Sequence, residues 1–351
     1  MSIFDAPAYD GHELVTFGKD AATGLRAIIA VHSTVLGPAV GGCRMFPYAS
    51  EDDALNDVLR LSRGMTYKSA LAGLPFGGGK SVIIGDPRKD KTADLMRAMG
   101  DFVHSQGGRY VAAEDSGTGV EDIRLMAERT SHVSGMDDNE FGGDPSPSTA
   151  WGVFLAIRTA VKHRLGEDSL QGVRVAVQGL GHVGYYLAGY LNNAGAKVLG
   201  TDVNEDNLRR AVKDHAVEAV APDAILSAEV DVFAPCAMGA VLNTSSIPGL
   251  RAGIVAGAAN NQLATAADGE SLQARGILYC PDFLINAGGI IDVHHQRVGS
   301  AETQKQVHIQ RIEQTLSEVL SRADESHRRT NDIAEELARD IIARAAHSLA
   351  A

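Results

Sequence analysis

Cysteine is scarce in this chain, which contains only Cys43, Cys236 and Cys280. Three cysteines without metal-ligand spacing give neither a disulfide framework nor a zinc site. No apolar run approaches the ~20 residues that a membrane-spanning helix needs. Residues 1–7 also lack the basic segment and the apolar stretch of a secretory signal. We therefore expect a cytoplasmic protein that holds no metal.

Positive charge is also in short supply, because 32 lysines and arginines stand against 44 aspartates and glutamates. Without a basic stripe, the chain has no electrostatic footprint for nucleic acid or for an anionic membrane. Its 351 residues are enough for two domains with separate cores. The expected partner is a small molecule.

Strand-like and helix-like segments alternate along the chain. An apolar run at 25–32 predicts a buried strand, and helical spacing follows a candidate cap at Ser50. A strand at 81–84 and a helix over 95–103 continue the alternation. The Gly/Pro-rich stretch 135–147 is a candidate hinge or lid. We predict an α/β fold with domains at 1–147 and 148–330, and a C-terminal helix at 331–351 that packs back on the first domain or on another subunit.

A glycine motif follows the predicted strand at 173–178. Gly179-Leu180-Gly181-His182-Val183-Gly184 has the form G-x-G-x-x-G, and Asp202 ends the next predicted strand, 197–201. The first glycine makes the turn, the second admits a pyrophosphate to backbone N–H groups, and the third allows close helix packing. Asp202 is placed to accept hydrogen bonds from ribose hydroxyls and to repel a 2′-phosphate. The segment predicts a Rossmann-type domain that binds NAD, although the hexapeptide alone also fits a turn in an unrelated α/β domain.

Two lysines, Lys68 and Lys80, lie in apolar, glycine-rich sequence. Burial and a neighbouring positive charge disfavour the charged form of a lysine, which suits it to proton transfer. A predicted strand at 111–115 ends in Asp115, so the three side chains would suit acid–base chemistry on a small anion. The alternatives are that both lysines lie on the surface and that Asp115 caps the helix starting near Glu121.

The sequence Gly79-Lys80-Ser81 also matches the end of a phosphate-binding loop, G-x-x-x-x-G-K-[ST]. The position of the first glycine is Leu74, and Gly73 lies one residue too early. A phosphate-binding loop is therefore not expected here.

Several motifs together resemble the amino acid dehydrogenases of the leucine, valine, phenylalanine and tryptophan group, within the glutamate dehydrogenase superfamily. The resemblance covers nearly the whole chain and is closest to the leucine dehydrogenases. Besides the hexapeptide, it rests on LGPAVGG at 36–42, RGMTYK at 63–68, GGGK at 77–80, AED at 113–115, DVFAPCA at 231–237, GAANNQ at 257–262 and NAGG at 286–289.

This resemblance implies reversible oxidative deamination of an L-amino acid by NAD to a 2-oxo acid and ammonia. It implies that Lys68 binds the substrate carboxylate, that Lys80 takes a proton from the attacking water, and that Asp115 exchanges protons with the substrate nitrogen. It also implies cofactor contacts from Gly179, Gly181, His182, Val183, Gly184, Asp202, Ala237, Asn260 and Asn261. The enzyme is expected to be a homo-oligomer, either a dimer or an octamer.

The resemblance further implies a side-chain pocket lined by Val40, Gly41, Met65, Ala113, Ile290 and Val293. The pocket carries no charge, which favours branched aliphatic substrates over glutamate, with aromatic amino acids as the alternative. Two positions depart from the pattern, because Val40 replaces a common leucine and Cys43 a common threonine. Another functional class, a non-catalytic NAD-binding sensor, is disfavoured by the intact set of proton-transfer residues. Apolar residues at these spacings also fit a plain core, and the His294-His295 pair fits a metal site less well than a core or solvated position.

Overall fold

The computed structural model describes residues 3–136, 143–237 and 239–350. It confirms the predicted α/β fold. Contacts divide the chain into two compact units, one of 1–143, 296–299 and 338–351, the other of 144–295 and 300–337. The domain boundaries proposed from the sequence, at residues 147 and 330, stay a prediction. The candidate hinge at 135–147 falls partly on 137–142, outside the described residues.

The first unit is built on a five-stranded sheet. Its strands lie in the order β1-β2-β4-β3-β5; β1 and β2 are antiparallel, as are β2 and β4, whereas β3 is parallel to β4 and to β5. The elements are β1 (Leu14–Asp20), β2 (Leu25–Ser33), β3 (Ala39–Phe46), α1 (Glu51–Leu71), β4 (Gly77–Ile84), α2 (Ala93–His104), β5 (Tyr110–Glu114) and α3 (Val120–Ala127).

Local sequence accounts for the main helix of this unit. The hydroxyl of Ser50 accepts a hydrogen bond from the N–H of Asp53, as expected for an N-cap, and acidic residues fill the first turn. Apolar side chains of α1 pack against Ile28 and Val82 on one face of the sheet. The other face buries Met96 and Met99 of α2. The predicted strands and helices of this unit are present, whereas β1 and β3 were not predicted from periodicity.

The second unit is built on a six-stranded parallel sheet in the order β11-β10-β9-β6-β7-β8. Counted from β6, this is the 3-2-1-4-5-6 order of a dinucleotide-binding fold. The elements are α4 (Ser146–Leu165), β6 (Arg174–Gln178), α5 (His182–Asn193), β7 (Lys197–Thr201), α6 (Glu205–His215), β8 (Glu218–Ala219), β9 (Val232–Pro235), β10 (Ile254–Val255), α7 (Ala266–Ala274), β11 (Leu278–Tyr279), α8 (Asp282–Ile285), α9 (Gly288–Val298), α10 (Glu302–Ser326) and α11 (Thr330–Ala350).

The last helix, α11, ends in the first unit. Its residues from Ala338 onward belong to that unit by contacts. There the Nε of Arg339 donates to the hydroxyl of Tyr67 at 2.9 Å. The expectation that the C-terminal helix packs back is therefore confirmed. Within the described ranges, no helix combines the length and the apolar character needed to cross a membrane.

Candidate active site

Strand register gathers the candidate catalytic residues on one face of the first sheet. Cys43 of β3 lies opposite Ser81 of β4 and Glu114 of β5. Side chains alternate between the two faces of a sheet along each strand. Lys80 precedes Ser81 on β4, and Asp115 follows Glu114 at the end of β5. Both therefore lie on the face opposite to Cys43, Ser81 and Glu114. The sheet therefore brings together two of the residues that the sequence singled out.

Lys80 and Asp115 form a buried ion pair. The Nζ of Lys80 lies 2.8 Å from Oδ2 of Asp115, and the two side chains are 6% and 15% exposed. Lys80 is thus not a surface lysine, and the same holds for Lys68, which is 9% exposed. The sequence predicted both groups at the site, but not their direct pairing.

Glycine makes room for this pair. A Cβ on Gly42 would lie 2.7 Å from the Cβ of Asp115 and 3.0 Å from the Nζ of Lys80. On Gly41 it would lie 1.7 Å from the carbonyl oxygen of Gly79. Side chains at 41 and 42 would therefore separate β3 from β4 or displace the ion pair.

Helix α1 carries Lys68 close to the strand that carries Lys80. A Cβ on Gly78 would lie 2.1 Å from the backbone nitrogen of Thr66, so β4 and α1 are in direct contact there. Lys68 is two residues after Thr66 on α1, and Lys80 is two residues after Gly78 on β4. Three residues proposed for the side-chain pocket lie nearby in the same unit: Val40 is buried, and Met65 and Ala113 are partly buried.

A second cation contacts Asp115. The Nε of Arg44 donates to Oδ2 at 2.9 Å, so Arg44 and Lys80 share one carboxylate oxygen. Burial raises the pKa of Asp115, but the charges and hydrogen bonds of Lys80 and Arg44 outweigh it and bring the pKa to about 2. Within the described ranges, Oδ1 of Asp115 has no hydrogen-bond partner. The carboxylate is held ionised with one oxygen available.

Two alternative interpretations are excluded by local structure. Helix α3 begins after Gly119, whose N–H donates to Asp122, so Asp115 does not cap it. The residues 77–80 form part of strand β4 rather than a loop, so they cannot wrap a phosphate. Among the described residues, no group of three or more His, Cys, Asp or Glu is arranged to hold a metal ion.

The second unit contains the dinucleotide motif in its expected setting. The motif joins β6 to α5, and β6 and β9 are the strands at which the sheet order reverses. Gly179 has φ +95°, which favours glycine, and a Cβ on Gly184 would lie 1.9 Å from the carbonyl oxygen of Gly179. A Cβ on Gly181 would meet nothing within 4 Å. The loop therefore has the turn, the close packing and the open backbone that a pyrophosphate requires.

Asp202 accepts hydrogen bonds from the backbone of this loop. Its Oδ2 accepts from the N–H of Leu180 at 2.7 Å, and its Oδ1 accepts from the N–H of Asn204 at 2.7 Å. Nδ2 of Asn207 also donates to Oδ2, at 3.5 Å. Oδ1 accepts one of these bonds and can accept a further one, which leaves capacity for a ribose hydroxyl. The residues present fit a dinucleotide with a free 2′-hydroxyl.

The remaining cofactor candidates lie in the same unit. The Cβ of Ala237 lies 2.7 Å from the position that a Cβ on Gly179 would take, and His182 and Val183 begin α5. The Oδ1 of Asn260 accepts from Asn286, and the N–H of Asn261 donates to Asp282. Asn261 has φ +50°, so it adopts the left-handed turn that asparagine tolerates. Two further pocket candidates, Ile290 and Val293, are partly buried on α9.

The side chains that support Asp115 were not predicted from the sequence. Arg44 also binds Asp57 of α1, with Nη1 at 3.0 Å from Oδ2, and the hydroxyl of Tyr48 donates to the same oxygen at 2.6 Å. The only signal for Arg44 was its place two residues after Gly42, in a strand that periodicity did not reveal.

A dinucleotide-binding unit together with a unit that carries a buried lysine–aspartate pair defines a nucleotide-dependent oxidoreductase. Family models match at 14–132 (Glu/Leu/Phe/Val dehydrogenase, dimerisation domain) and at 144–205 and 200–348 (glutamate/leucine/phenylalanine/valine dehydrogenase). The chain belongs to this family. It is an NAD-dependent L-amino acid dehydrogenase that catalyses oxidative deamination.

The relatives of this chain are named for different amino acid substrates. The chain is 50% identical to the leucine dehydrogenase of Thermoactinomyces intermedius over 301 residues, which are 85% of this chain and 82% of that protein. It is 46% identical to the valine dehydrogenase of Streptomyces virginiae, covering 90% and 89%. The crystal structure of L-tryptophan dehydrogenase from Nostoc punctiforme matches with a TM-score of 0.80 at 42% identity, covering 95% and 97%.

Proposed function

We propose that Lys68, Lys80 and Asp115 carry out the reaction in the first domain, which we assign to 1–147, and that 148–330 binds NAD, followed by the terminal helix 331–351. The observation that supports this most is the buried contact of 2.8 Å between Lys80 and Asp115. Ionisable groups whose pKa is shifted by burial and by a specific charged partner cluster at catalytic sites, and Asp115 is such a group.

Each side chain has a separate task. The ammonium of Lys68 binds the substrate carboxylate through a charge-assisted hydrogen bond. Asp115 uses its available oxygen to take a proton from the substrate ammonium, which frees the nitrogen lone pair. Bound NAD supplies the acceptor for the hydride of Cα. Lys80 in its neutral form then takes a proton from the water that attacks the iminium carbon and gives that proton to the nitrogen of the carbinolamine. As the carbonyl forms and ammonia leaves, the hydroxyl proton passes to Lys80.

The second unit orients the cofactor. We assign the pyrophosphate to the backbone of Gly181, His182, Val183 and the start of α5, where N–H groups and the helix dipole favour an anion. Ala237 lies against Gly179 in the same loop region. We assign Asn260 and Asn261 to the nicotinamide side of the site.

The proposed substrates are branched aliphatic L-amino acids. Val40, Gly41, Met65, Ala113, Ile290 and Val293, assigned to the side-chain pocket, carry no charge, so a substrate carboxylate there would lose hydration without a partner. Relatives named leucine and valine dehydrogenase support this preference. The test is to incubate the protein with NAD+ and each common L-amino acid and to follow NADH. The expected order is leucine and valine first, with glutamate inactive; activity highest on glutamate would contradict the proposal.

Aromatic amino acids are the second candidate substrates, because the similarity to the L-tryptophan dehydrogenase of Nostoc punctiforme extends over 95% of the chain. The same assay decides between them. A kcat/KM for tryptophan or phenylalanine above that for leucine would favour the aromatic assignment. A non-catalytic sensor would release no NADH from any amino acid.

We expect that Asp202→Asn reduces the preference for NAD over NADP. The carboxylate repels a 2′-phosphate, and like charges about 4 Å apart repel by ~1 kcal/mol or more, which is at least about fivefold in the ratio of kcat/KM values. Steady-state kinetics with both cofactors measure this ratio. Asp214→Asn, an exposed aspartate of α6 that binds Tyr185, is the matched control and should leave the ratio unchanged. An unchanged ratio in Asp202→Asn would remove its proposed role.

We also propose that the protein is a homo-oligomer, either a dimer or an octamer, that assembles through β1. Within the described residues β1 pairs only with β2, so its outer edge has free backbone groups. Phe17 on this strand is 58% exposed. The description of the matching family model as a dimerisation domain supports this proposal.

Phe17→Lys should weaken that assembly, because a charge on an edge strand opposes strand pairing. Light scattering should give a multiple of 37.0 kDa for the wild type and a smaller mass for the variant. Val212→Lys, a similarly exposed position on α6, should keep the wild-type mass. A wild type that is monomeric at micromolar concentration would contradict the proposal.

A cytoplasmic location is proposed from the cysteines. Cys43, Cys236 and Cys280 are all free, and two of them are buried. Unpaired thiols are usual in a reducing compartment.

A further inference from the structure

Arg44 is positioned by the sheet to contact Asp115. The register aligns Cys43 with Glu114. The next residues along the chain, Arg44 and Asp115, are therefore neighbours too. The Arg44 side chain is 19% exposed, and its guanidinium lies between two carboxylates, with Nε at 2.9 Å from Asp115 and Nη1 at 3.0 Å from Asp57. A planar guanidinium that binds two fixed carboxylates has little freedom to move.

The contacts with Asp57 hold Arg44 from the other side. Asp57 is on α1, and its Oδ2 also accepts from the hydroxyl of Tyr48 at 2.6 Å. Lys80 and Arg44 carry two positive charges, and Asp115 and Asp57 carry two negative charges. The cluster is therefore neutral, and this neutrality allows two cations to lie beside one partly buried carboxylate.

We propose that Arg44 is a positioning residue for the deamination. It holds Oδ2 of Asp115 so that Oδ1 stays available to the substrate nitrogen, and it keeps the carboxylate ionised when Lys80 gives or takes a proton. This inference rests on the proposed role of Asp115. Without Arg44, the ionisation of Asp115 would depend on the protonation state of Lys80 alone.

Other charged and titratable groups near Asp115 do not replace Arg44. Burial raises the pKa of the Cys43 thiol to about 12, and burial also raises the pKa of Tyr110 well above its usual value, so both stay neutral. Asp122 of α3 is paired with Lys91 at 2.8 Å. The ionisable groups on the same face as the Lys80–Asp115 pair that are hydrogen-bonded into its cluster are thus Arg44 on β3, Asp57 on α1 and Tyr48 before α1. Cys43, Tyr110 and Glu114 belong to the opposite face of the sheet, and Asp122 is held by Lys91.

The sign of the pH effect identifies this role. The pH profile of kcat/KM reports apparent pKa values of the interacting groups at the site, with Asp115 among them. Removing the positive charge of Arg44 makes proton loss from Asp115 harder. We therefore expect Arg44→Gln to move the pH profile of kcat/KM to higher pH by ~1 unit or more. Asp57→Asn removes a negative charge and should move it to lower pH. Arg26→Gln, which breaks a strand-to-α1 ion pair with Glu51, is the matched control and should not move it.

Arg44→Lys keeps the charge but loses the two-carboxylate contact. Its profile should return toward that of the wild type, while kcat stays reduced. A merely structural role predicts that Arg44→Gln and Asp57→Asn shift in the same direction or not at all, and either result would overturn the proposal. KM for NAD should be unchanged in all variants.

A second measurement does not depend on turnover. The carboxyl carbon-13 signal of Asp115, identified by its loss in Asp115→Asn, should titrate at higher pH in Arg44→Gln than in the wild type. Equal titration would overturn the role of Arg44. A wild type that releases no NADH from any L-amino acid would instead contradict the proposed function, so the two failures are distinguishable.

Discussion

Lys80→Ala is expected to lower kcat by at least ~10²-fold, the usual loss when a general acid–base group is removed. The lysine is buried and its Nζ lies 2.8 Å from Asp115, so no solvent-exposed base stands in its position. NAD binding should be unchanged, because the dinucleotide motif belongs to the other unit. Steady-state kinetics and a cofactor titration by NADH fluorescence measure the two effects separately.

The control for this variant is Lys89→Ala. Lys89 is 79% exposed and pairs weakly with Asp86 at 3.5 Å, so its loss should leave kcat within about twofold of the wild type. A Lys80→Ala enzyme that keeps more than a tenth of the turnover would disprove the proposed role of Lys80. A loss of both turnover and NADH binding would indicate misfolding, which circular dichroism would detect.

Lys68→Met should raise KM for the amino acid roughly 10- to 150-fold and leave kcat nearly unchanged. A hydrogen bond to a charged group contributes about 1.5–3 kcal/mol, and the carboxylate is held alike in the ground and transition states. Methionine keeps most of the volume of this 9% exposed side chain, so the change removes mainly the charge.

The reverse reaction provides the internal control for Lys68→Met. The 2-oxo acid carries the same carboxylate, so its KM should rise by a similar factor, whereas the KM for ammonia should stay the same. A fall in kcat with KM unchanged would place Lys68 in the chemistry instead of in carboxylate binding.

Local patterns in the sequence determined much of this protein. The hexapeptide at 179–184, the strand before it and Asp202 after it predicted the dinucleotide unit, because each depends only on neighbours within about 25 residues. Ser50 predicted the start of α1 for the same reason. Lys80 and Asp115 were found because charged residues stand out in apolar, glycine-rich sequence.

The pairing of those residues was decided by the tertiary structure. Arg44 and Asp115 are 71 residues apart, and they meet only because β3 and β5 are parallel neighbours in one register. A shift of one residue would turn Arg44 to the other face of the sheet. Periodicity did not reveal β3, since its glycines pack directly against β4 and leave no alternating pattern. The contact between Lys80 and Asp115 likewise depends on the absence of a side chain at Gly42. The sequence does not show that residue 42 lies against this pair, because the three residues meet only when the strands pack.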